Sequence, residues 1–484
     1  MNWILLGEIA YILLVIFVVL RVLHDTRSST KTLAYILFTI FVPFIGMFFY
    51  FSFGINYRKR KLYSKKLNLD EPIREDIRNR LHAYSELIHN SGIIADRHKN
   101  LIEYIRRSSS SPLTANNDVT VLVNGEEKFP ALLEAIENAM SHIHIEYYIY
   151  ENDITGNDVA ELLIKKANEG VEVRFLYDDF GSHSLGKSFI KKLNDAGVQT
   201  APFYKIKWYA LANRLNYRNH RKIVIVDGSV SFIGGINISD RYRNDLQKEN
   251  HLFWRDTHLQ IKGQATASLQ YLFLCDWNFC SIKPMAFSEV YFPDHTKQGS
   301  IEKDVVQIAA SGPDSTQPVI FYSLLEAISS AKQSIYITTP YFIPGESLID
   351  ALIIAIQSGV DVKLIIPGIS DSKMVNAAAS AYYTELLQYG AKIYKYHKGF
   401  VHAKTIVIDG DLAIVGSANM DYRSFDLNFE VNAMVYSEII AKQLTNAFEK
   451  DLKVSQKINA EDWLNRPKYI HLWEKMVKLW SPFL

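Results

Sequence analysis

Two apolar runs open the chain. Residues 3–23 and 33–53 are each 21 residues long, enough to cross ~30 Å of hydrocarbon as a helix. The second run carries no charge. The first carries Glu8 near its start and Arg21 near its end, where a long side chain reaches the interface. No Lys or Arg precedes the first run and a second run follows at once, which disfavours a cleaved signal peptide. The pattern predicts a transmembrane helical hairpin, with Pro43 and Gly46 leaving room for a kinked or re-entrant second arm.

Past about residue 115 the pattern changes. Short β-branched runs such as "VEVRFLY" alternate with amphipathic stretches such as "VAELLIKKANEG", which predicts an α/β sheet covered by helices. The alternation occurs twice. "LLEAIENAMSHIHIEYYIY" (132–150) is matched by "LLEAISSAKQSIYITTPYF" (324–342), and "GVEVRFLYDD" (170–179) by "GVDVKLIIPG" (359–368). Two further like stretches follow in the same order, "HRKIVIVDGSVSFIGGIN" (220–237) and "HAKTIVIDGDLAIVGSAN" (402–419). The expected organisation is a two-helix membrane anchor (1–60), a basic juxtamembrane segment and linker (61–115), and two α/β halves (116–300 and 301–484). Duplicated halves commonly pack about a pseudo-two-fold axis, which would bring the two His-x-Lys stretches to one cleft.

Charge adds orientation. The 53 Lys+Arg nearly balance the 52 Asp+Glu, which argues against a nucleic-acid partner. Locally, "YRKRKLYSKK" (57–66) is strongly basic, whereas the loop between the apolar runs offers Arg21, Arg27 and Lys31 against Asp25. The positive-inside rule then places the N-terminus and both halves in the cytoplasm and the short loop outside. The basic run would also rest on anionic headgroups. Cys275 and Cys280 have no partner at metal-ligand spacing and read as reduced thiols.

Each His-x-Lys stretch contains an Asp-Gly, the signal for a two-residue hairpin turn. Taken literally, that turn sets His402 opposite Ser417 and His220 opposite Gly235. His402 and Lys404 then share a strand face with Ser417 and Asn419 as neighbours, and His220, Lys222 and Asn237 form the matching set. Such a set suits phosphoryl chemistry. A neutral imidazole attacks or accepts a proton, an imidazolium donates one, and lysine and asparagine hold phosphate oxygens. Asp227 and Asp409 occupy the turns, where good turn chemistry explains them. Downstream of the histidines, Asp256 in "WRDTHL" and Glu430 in "LNFEVNA" are the candidate carboxylates for fixing imidazole orientation.

These residues resemble the paired HKD motifs (His-x-Lys-x4-Asp) of the phospholipase D superfamily. "GGINISDRY", "WRDTHL", "GSANMDYRSFDLNFEVNA" and the membrane exit "IGMFFYFSFGINYRKRK" are similar, more narrowly, to bacterial cardiolipin synthases. The resemblance covers nearly the whole chain. It implies two phospholipase D-like α/β halves, a phosphohistidine intermediate, no metal and no cofactor. It also implies catalytic roles for His220, Lys222, Asp227, His402, Lys404 and Asp409, and substrate contacts from Asn237, Ser417 and Asn419. The first copy departs from Gly-Ser-x-Asn by carrying Gly235 where Ser417 stands. Gly235 would leave room for phosphorus beside His220, so His220 is expected to attack and His402 to act as acid/base, which is also the superfamily's usual assignment. The implied reaction joins two phosphatidylglycerols into cardiolipin and glycerol at the cell membrane, among anionic lipids. A phospholipase D-type hydrolase or another phosphatidyltransferase would use the same residues. A membrane-tethered lipid-binding scaffold is the non-enzymatic reading, and two intact sets argue against it.

Three other signals carry less. "HIHIEYYIY" (142–150) puts His142, His144 and Glu146 on one strand face without further ligands, which favours a cleft lining or satisfied core over a metal site. The insertion 205–218 interleaves aromatic and basic residues and is expected to form a lipid-facing rim. Near the C-terminus, Tyr469, Leu472, Trp473, Met476 and Trp480 recur at helical spacing among lysines, a pattern that points to the membrane interface.

Overall fold

The structure, a computed structural model, describes residues 3–25, 29–51, 85, 88, 96–109, 111–203, 217–246, 252–293, 304–370 and 372–481. The basic run 57–66 and all but the end of the insertion 205–218 lie outside these residues.

The first apolar run forms α1 (Trp3–Asp25). Among the described residues it is the helix long and apolar enough to cross a membrane. The second run is not one helix. α2 (Ser29–Phe41) ends at Val42, whose backbone leaves the helical region (φ −134°, ψ 68°) because a proline follows it. α3 (Pro43–Phe49) then doubles back on α2. A side chain on Gly46 would run into the carbonyl of Phe38, eight residues earlier, so glycine is what lets the two helices lie this close. With 13 residues, α2 rises only about 20 Å, short of the hydrocarbon thickness. The second arm of the expected hairpin is therefore a helical turn-back.

From Leu113 onward the alternation folds into one sheet of fifteen strands. The first half supplies β1 (Leu113–Val123), β2 (His142–Tyr147), β3 (Glu172–Asp178), β4 (Gln199–Phe203), β5 (Lys222–Val226), β6 (Val230–Gly234) and β7 (Thr257–Lys262). The second repeats them as β8 (Asp304–Ser311), β9 (Ser334–Thr338), β10 (Asp361–Pro367), β11 (Lys392–Tyr396), β12 (Thr405–Ile408), β13 (Leu412–Gly416) and β14 (Glu430–Tyr436). β15 (Ser455–Lys457) adds one edge. Across the sheet the order is β4-β3-β2-β5-β6-β7-β1-β8-β14-β13-β12-β9-β10-β11-β15. Outward from the antiparallel β1–β8 seam, where Leu113 faces Gln307 and Thr114 faces Val306, the strands of the two halves follow the same order. The pseudo-two-fold relation expected from the repeat is thus built into the strand order.

Apolar packing also crosses the seam. Ile223, Ile233 and Leu259 from the first half share one buried cluster with Val407, Val415 and Val431 from the second. The stretch expected as linker up to residue 115 ends in α4 (Lys99–Ser109), whose Leu101, Ile102 and Ile105 join the core of the second half. Just before it, Arg97 and His98 pair with Asp411 at the tip of the β12–β13 hairpin.

Both Asp-Gly turns form, with positive φ at Asp227, Gly228, Asp409 and Gly410. Each loop holds one residue more than expected, however. Val226 pairs with Val230 and Ile408 with Leu412, leaving Ser229 and Asp411 as extra residues. The register is shifted by one, and a one-residue shift moves a side chain to the other face.

Candidate active site

The two histidines precede β5 and β12, and both approach the same cavity from opposite halves. Short backbone pairings hold them there, and each pairing joins one half to the other. The His220 N–H donates to the Phe429 carbonyl (3.0 Å), and the Phe429 N–H to the Arg218 carbonyl (2.8 Å). In the matching place, the His402 N–H donates to the Arg255 carbonyl (2.7 Å), and Phe400 pairs with Trp254.

This backbone exchange decides which carboxylate each imidazole meets. His220 Nδ1 lies 3.0 Å from Glu430 Oε2, and His402 Nδ1 lies 2.7 Å from Asp256 Oδ2. The carboxylate downstream of each histidine in sequence is therefore not its partner. Each histidine is oriented by the opposite half. Glu430 and Asp256 are fully buried, at 0% exposure each. Burial pushes the Glu430 carboxyl up, but the charges of His220 and Lys222 and hydrogen bonds from His220 and Ser417 outweigh it and hold the group below its usual range.

Burial lowers both imidazoles. His402 falls to about 3, with Lys404 adding to the effect of burial, and His220 is lowered too, against the opposing pull of Glu430. Both rings are thus neutral with Nδ1 engaged, which leaves Nε2 as the nucleophilic or basic nitrogen. The lysines lie beneath the histidines. Lys222 Nζ donates to the His220 carbonyl (2.6 Å) and Lys404 Nζ to the His402 carbonyl (2.5 Å). Burial brings Lys222 down to about 7, aided by the like charge of Lys404.

The cavity measures about 340 Å³. It is lined by His220, His402, Asn237 and Asn419, with Tyr148, Trp254, Phe400, Arg218, Arg241 and Arg423 among the other walls. Asn237 gives its amide to Tyr242 (2.7 Å), and the Asn419 side-chain oxygen is buried without a partner among the described residues. Tyr148 packs 4.8 Å from the His220 ring and Trp254 5.5 Å from His402.

Three expected site residues lie elsewhere. Ser417 is fully buried and donates to Glu430 (2.5 Å) instead of facing the cavity, as the shifted register requires. Gly235 likewise makes room for a carboxylate, since a Cβ there would collide with Asp256. The Ser/Gly difference between the copies thus lies behind the histidines, and it supplies no space for phosphorus. Asp227 and Asp409 accept backbone N–H groups ahead of β2 and β9, from Met140, Ser141 and His142 and from Lys332, Gln333 and Ser334. Their geometry is that of turn clamps, remote from the cavity walls.

The His142–His144–Glu146 face is core. His144 stacks on Phe273 at 4.6 Å, and Glu146 accepts from Asn219, the neighbour of His220. No metal-binding cluster occurs among the described residues. Reading from the sequence alone missed Tyr148, Arg218 and Arg423. Position was the available signal: Arg218 stands two before one histidine and Arg423 four after one motif asparagine.

Two histidine–lysine–asparagine sets meeting between repeated α/β halves define a phospholipase D-like phosphodiester-transfer site. Residues 132–277 and 324–452 match the family described as "Cardiolipin synthase, PLD-like domain", and residues 9–54 match "Phospholipase_D-nuclease N-terminal". A "Cardiolipin synthase" of Geobacillus sp. (strain WCH70) is 41% identical over 97% of this chain and 92% of its own. The "Major cardiolipin synthase ClsA" of Bacillus subtilis (strain 168) is 40% identical over 99% of both chains. The fold is also that of a phosphatidylserine synthase of Haemophilus influenzae Rd KW20, with a TM-score of 0.59 and 14% identity, covering 80% of this chain and 100% of that one. The chain belongs to the cardiolipin synthase family of phospholipase D-like enzymes.

Proposed function

We propose that this protein transfers a phosphatidyl group from one phosphatidylglycerol to another, releasing glycerol. The observation that carries this reading is the pair of buried histidine–carboxylate couples facing one cavity. One phosphodiester replaces another, so no nucleotide is consumed. His220 Nε2 attacks phosphorus, and the P–O bond to glycerol breaks as His402 gives that oxygen a proton. A hydroxyl of the second lipid then loses its proton to His402 and displaces His220. The resting imidazoles are neutral, and a bound phosphodiester anion raises the affinity of His402 for the proton it must carry. Lys222 and Lys404 supply positive charge beneath the phosphate, and Asn237 and Asn419 line its path. Asp256 and Glu430 hold the imidazoles in the right tautomer, and Ser417 supports Glu430 from behind.

Purified protein in phosphatidylglycerol liposomes tests this directly. Cardiolipin with one glycerol per transfer supports it. Phosphatidic acid as the product would make the enzyme a hydrolase, and no turnover would leave the scaffold reading. Chelators are expected to leave turnover intact, since both sets are built from His, Lys and Asn. Loss in EDTA that only one particular divalent ion restores would overturn this.

We further propose that the halves face the cytoplasm in the cell membrane. α1 anchors the chain, and the C-terminal helix (Lys468–Lys478) supports the placement because Tyr469, Leu472, Trp473 and Met476 all face outward, each more than half exposed. Because α3 doubles back on α2, we read α1 as the one crossing, with the N-terminus outside instead of inside. By sequence, Arg21, Arg27, Lys31 and the basic run 57–66 would then all fall on the cytoplasmic side, in better accord with the positive-inside rule than a looped-out arrangement. In a background without native cysteines, Ser29→Cys and Ser110→Cys are both expected to resist an impermeant thiol reagent in intact cells. Labelling at residue 110 would reverse the orientation, and labelling at residue 29 alone would establish two crossings.

A further inference from the structure

The two halves duplicate the reacting groups, but not everything around the cavity is duplicated. Arg218 stands two residues before His220, and its counterpart before His402 is Phe400. Arg423 stands four residues after Asn419, and its counterpart after Asn237 is Arg241. Arg241 is neutralised by Glu151, whose own counterpart in the second half is the apolar Ile343.

Arg218 and Arg423 are different. Both line the cavity, and neither guanidinium has a hydrogen-bonding or ion-paired partner among the described residues. Arg218 is only 3% exposed, with Nη1 buried and unmatched. Its ring contact is with Phe180 at 4.5 Å, which fixes the plane of the guanidinium without answering its donors. The nearby carboxylate of Asp178 accepts the backbone N–H groups of Phe180, Gly181 and Asn219. The two arginines are close enough to feel each other's charge, and Tyr148, packed on His220, feels both. Arg218 feels the carboxylates of Asp178 and Asp179 and Arg423 that of Asp421, but no ion pair forms among the described residues. Two like charges thus face one cavity with donors left for an anion. The proposed reaction already assigns the duplicated histidine, lysine and asparagine sets to the reacting phosphate, so neither set needs the pair to be complete. The pair therefore matches something that occurs once in the reaction.

We propose that Arg218 and Arg423 form a second phosphodiester site, which holds the phosphate of the lipid that is not being cleaved. This rests on the transferase reading and gives it a physical basis. Water or a simple alcohol brings no charge, whereas an acceptor phosphatidylglycerol brings a phosphate three carbons from its attacking hydroxyl. Arg218 lies roughly 6–7 Å along an extended chain from His220, a span that a glycerol bridge between two phosphates can cover. Paired guanidinium forks suit a diester's two free oxygens, and burial strengthens the attraction.

The test separates the two halves of the reaction. Incorporation of labelled glycerol into phosphatidylglycerol reads cleavage and its reversal, with one phosphate in the site. Cardiolipin formation needs two. Arg423→Gln, on a half-exposed position, is expected to reduce cardiolipin formation at least tenfold more than glycerol exchange, with Arg423→Lys partly restoring the ratio. Arg218→Lys should shift the ratio the same way, since a point charge cannot reproduce the fork. Equal losses in both reactions would assign the pair to the reacting phosphate and overturn the proposal, as would no loss in either. Failure of the transferase reading itself looks different, because the unsubstituted enzyme would then exchange or hydrolyse without forming cardiolipin.

Discussion

Incubated with phosphatidylglycerol, the His402→Ala enzyme is expected to accumulate a phosphatidyl adduct on His220, while His220→Ala accumulates none. In both, cardiolipin formation should fall by about 10³-fold or more, the usual scale for losing a positioned nucleophile or acid/base group. The two variants fail at different steps. Without His220 Nε2 no P–N bond forms. Without His402 the attack still has its nucleophile, but the entering hydroxyl has no base and the intermediate persists. His220 sits under Tyr148 with Nδ1 held by Glu430, so its free nitrogen remains aimed at the cavity when His402 is removed. Mass spectrometry that places the adduct on residue 402 of His220→Ala would exchange the roles.

The second large effect concerns the carboxylates. Asp256→Asn and Glu430→Gln keep size while removing the charge that orients an imidazole and stabilises its protonated form, and each is expected to lower turnover by roughly 10²–10⁴-fold. The crossed pairing makes the outcomes specific. Asp256→Asn should behave like a damaged His402 and accumulate adduct, although Asp256 lies in the half that carries His220. Glu430→Gln should behave like a damaged His220 and form adduct slowly. The opposite assignment of phenotypes would mean that each carboxylate serves its own half in solution and that the observed pairing is wrong.

Much of this site is legible in the sequence because short-range chemistry fixes it. Spacing alone places a lysine two residues from each histidine and an asparagine at the end of each hairpin. Repetition alone gives two halves. What escaped was set by tertiary pairing. Asp-Gly marks where each hairpin turns but not the length of its loop: Ser229 and Asp411 enter the loops as extra residues, and Asp411 is held there by Arg97 and His98 from far upstream. That shift carried Ser417 away from the cavity. Crossed orientation was equally hidden, because Asp256 and Glu430 each follow the wrong histidine in chain order. Similarly, apolarity announced a second membrane arm, while the close approach of Gly46 to Phe38 that folds it back depends on the geometry at Val42.

The crossed couples also constrain how such a chain could have arisen. A single ancestral half would hold a histidine and a carboxylate that cannot meet within one copy. It would gain a complete couple only when a second copy supplied the other member, and a symmetric pair would gain two at once. Joining two such copies in one chain would keep that mutual dependence while leaving each half free to diverge. Arg218 opposite Phe400, and an unpaired Arg423 opposite a neutralised Arg241, are the kind of asymmetry that two identical subunits could never hold.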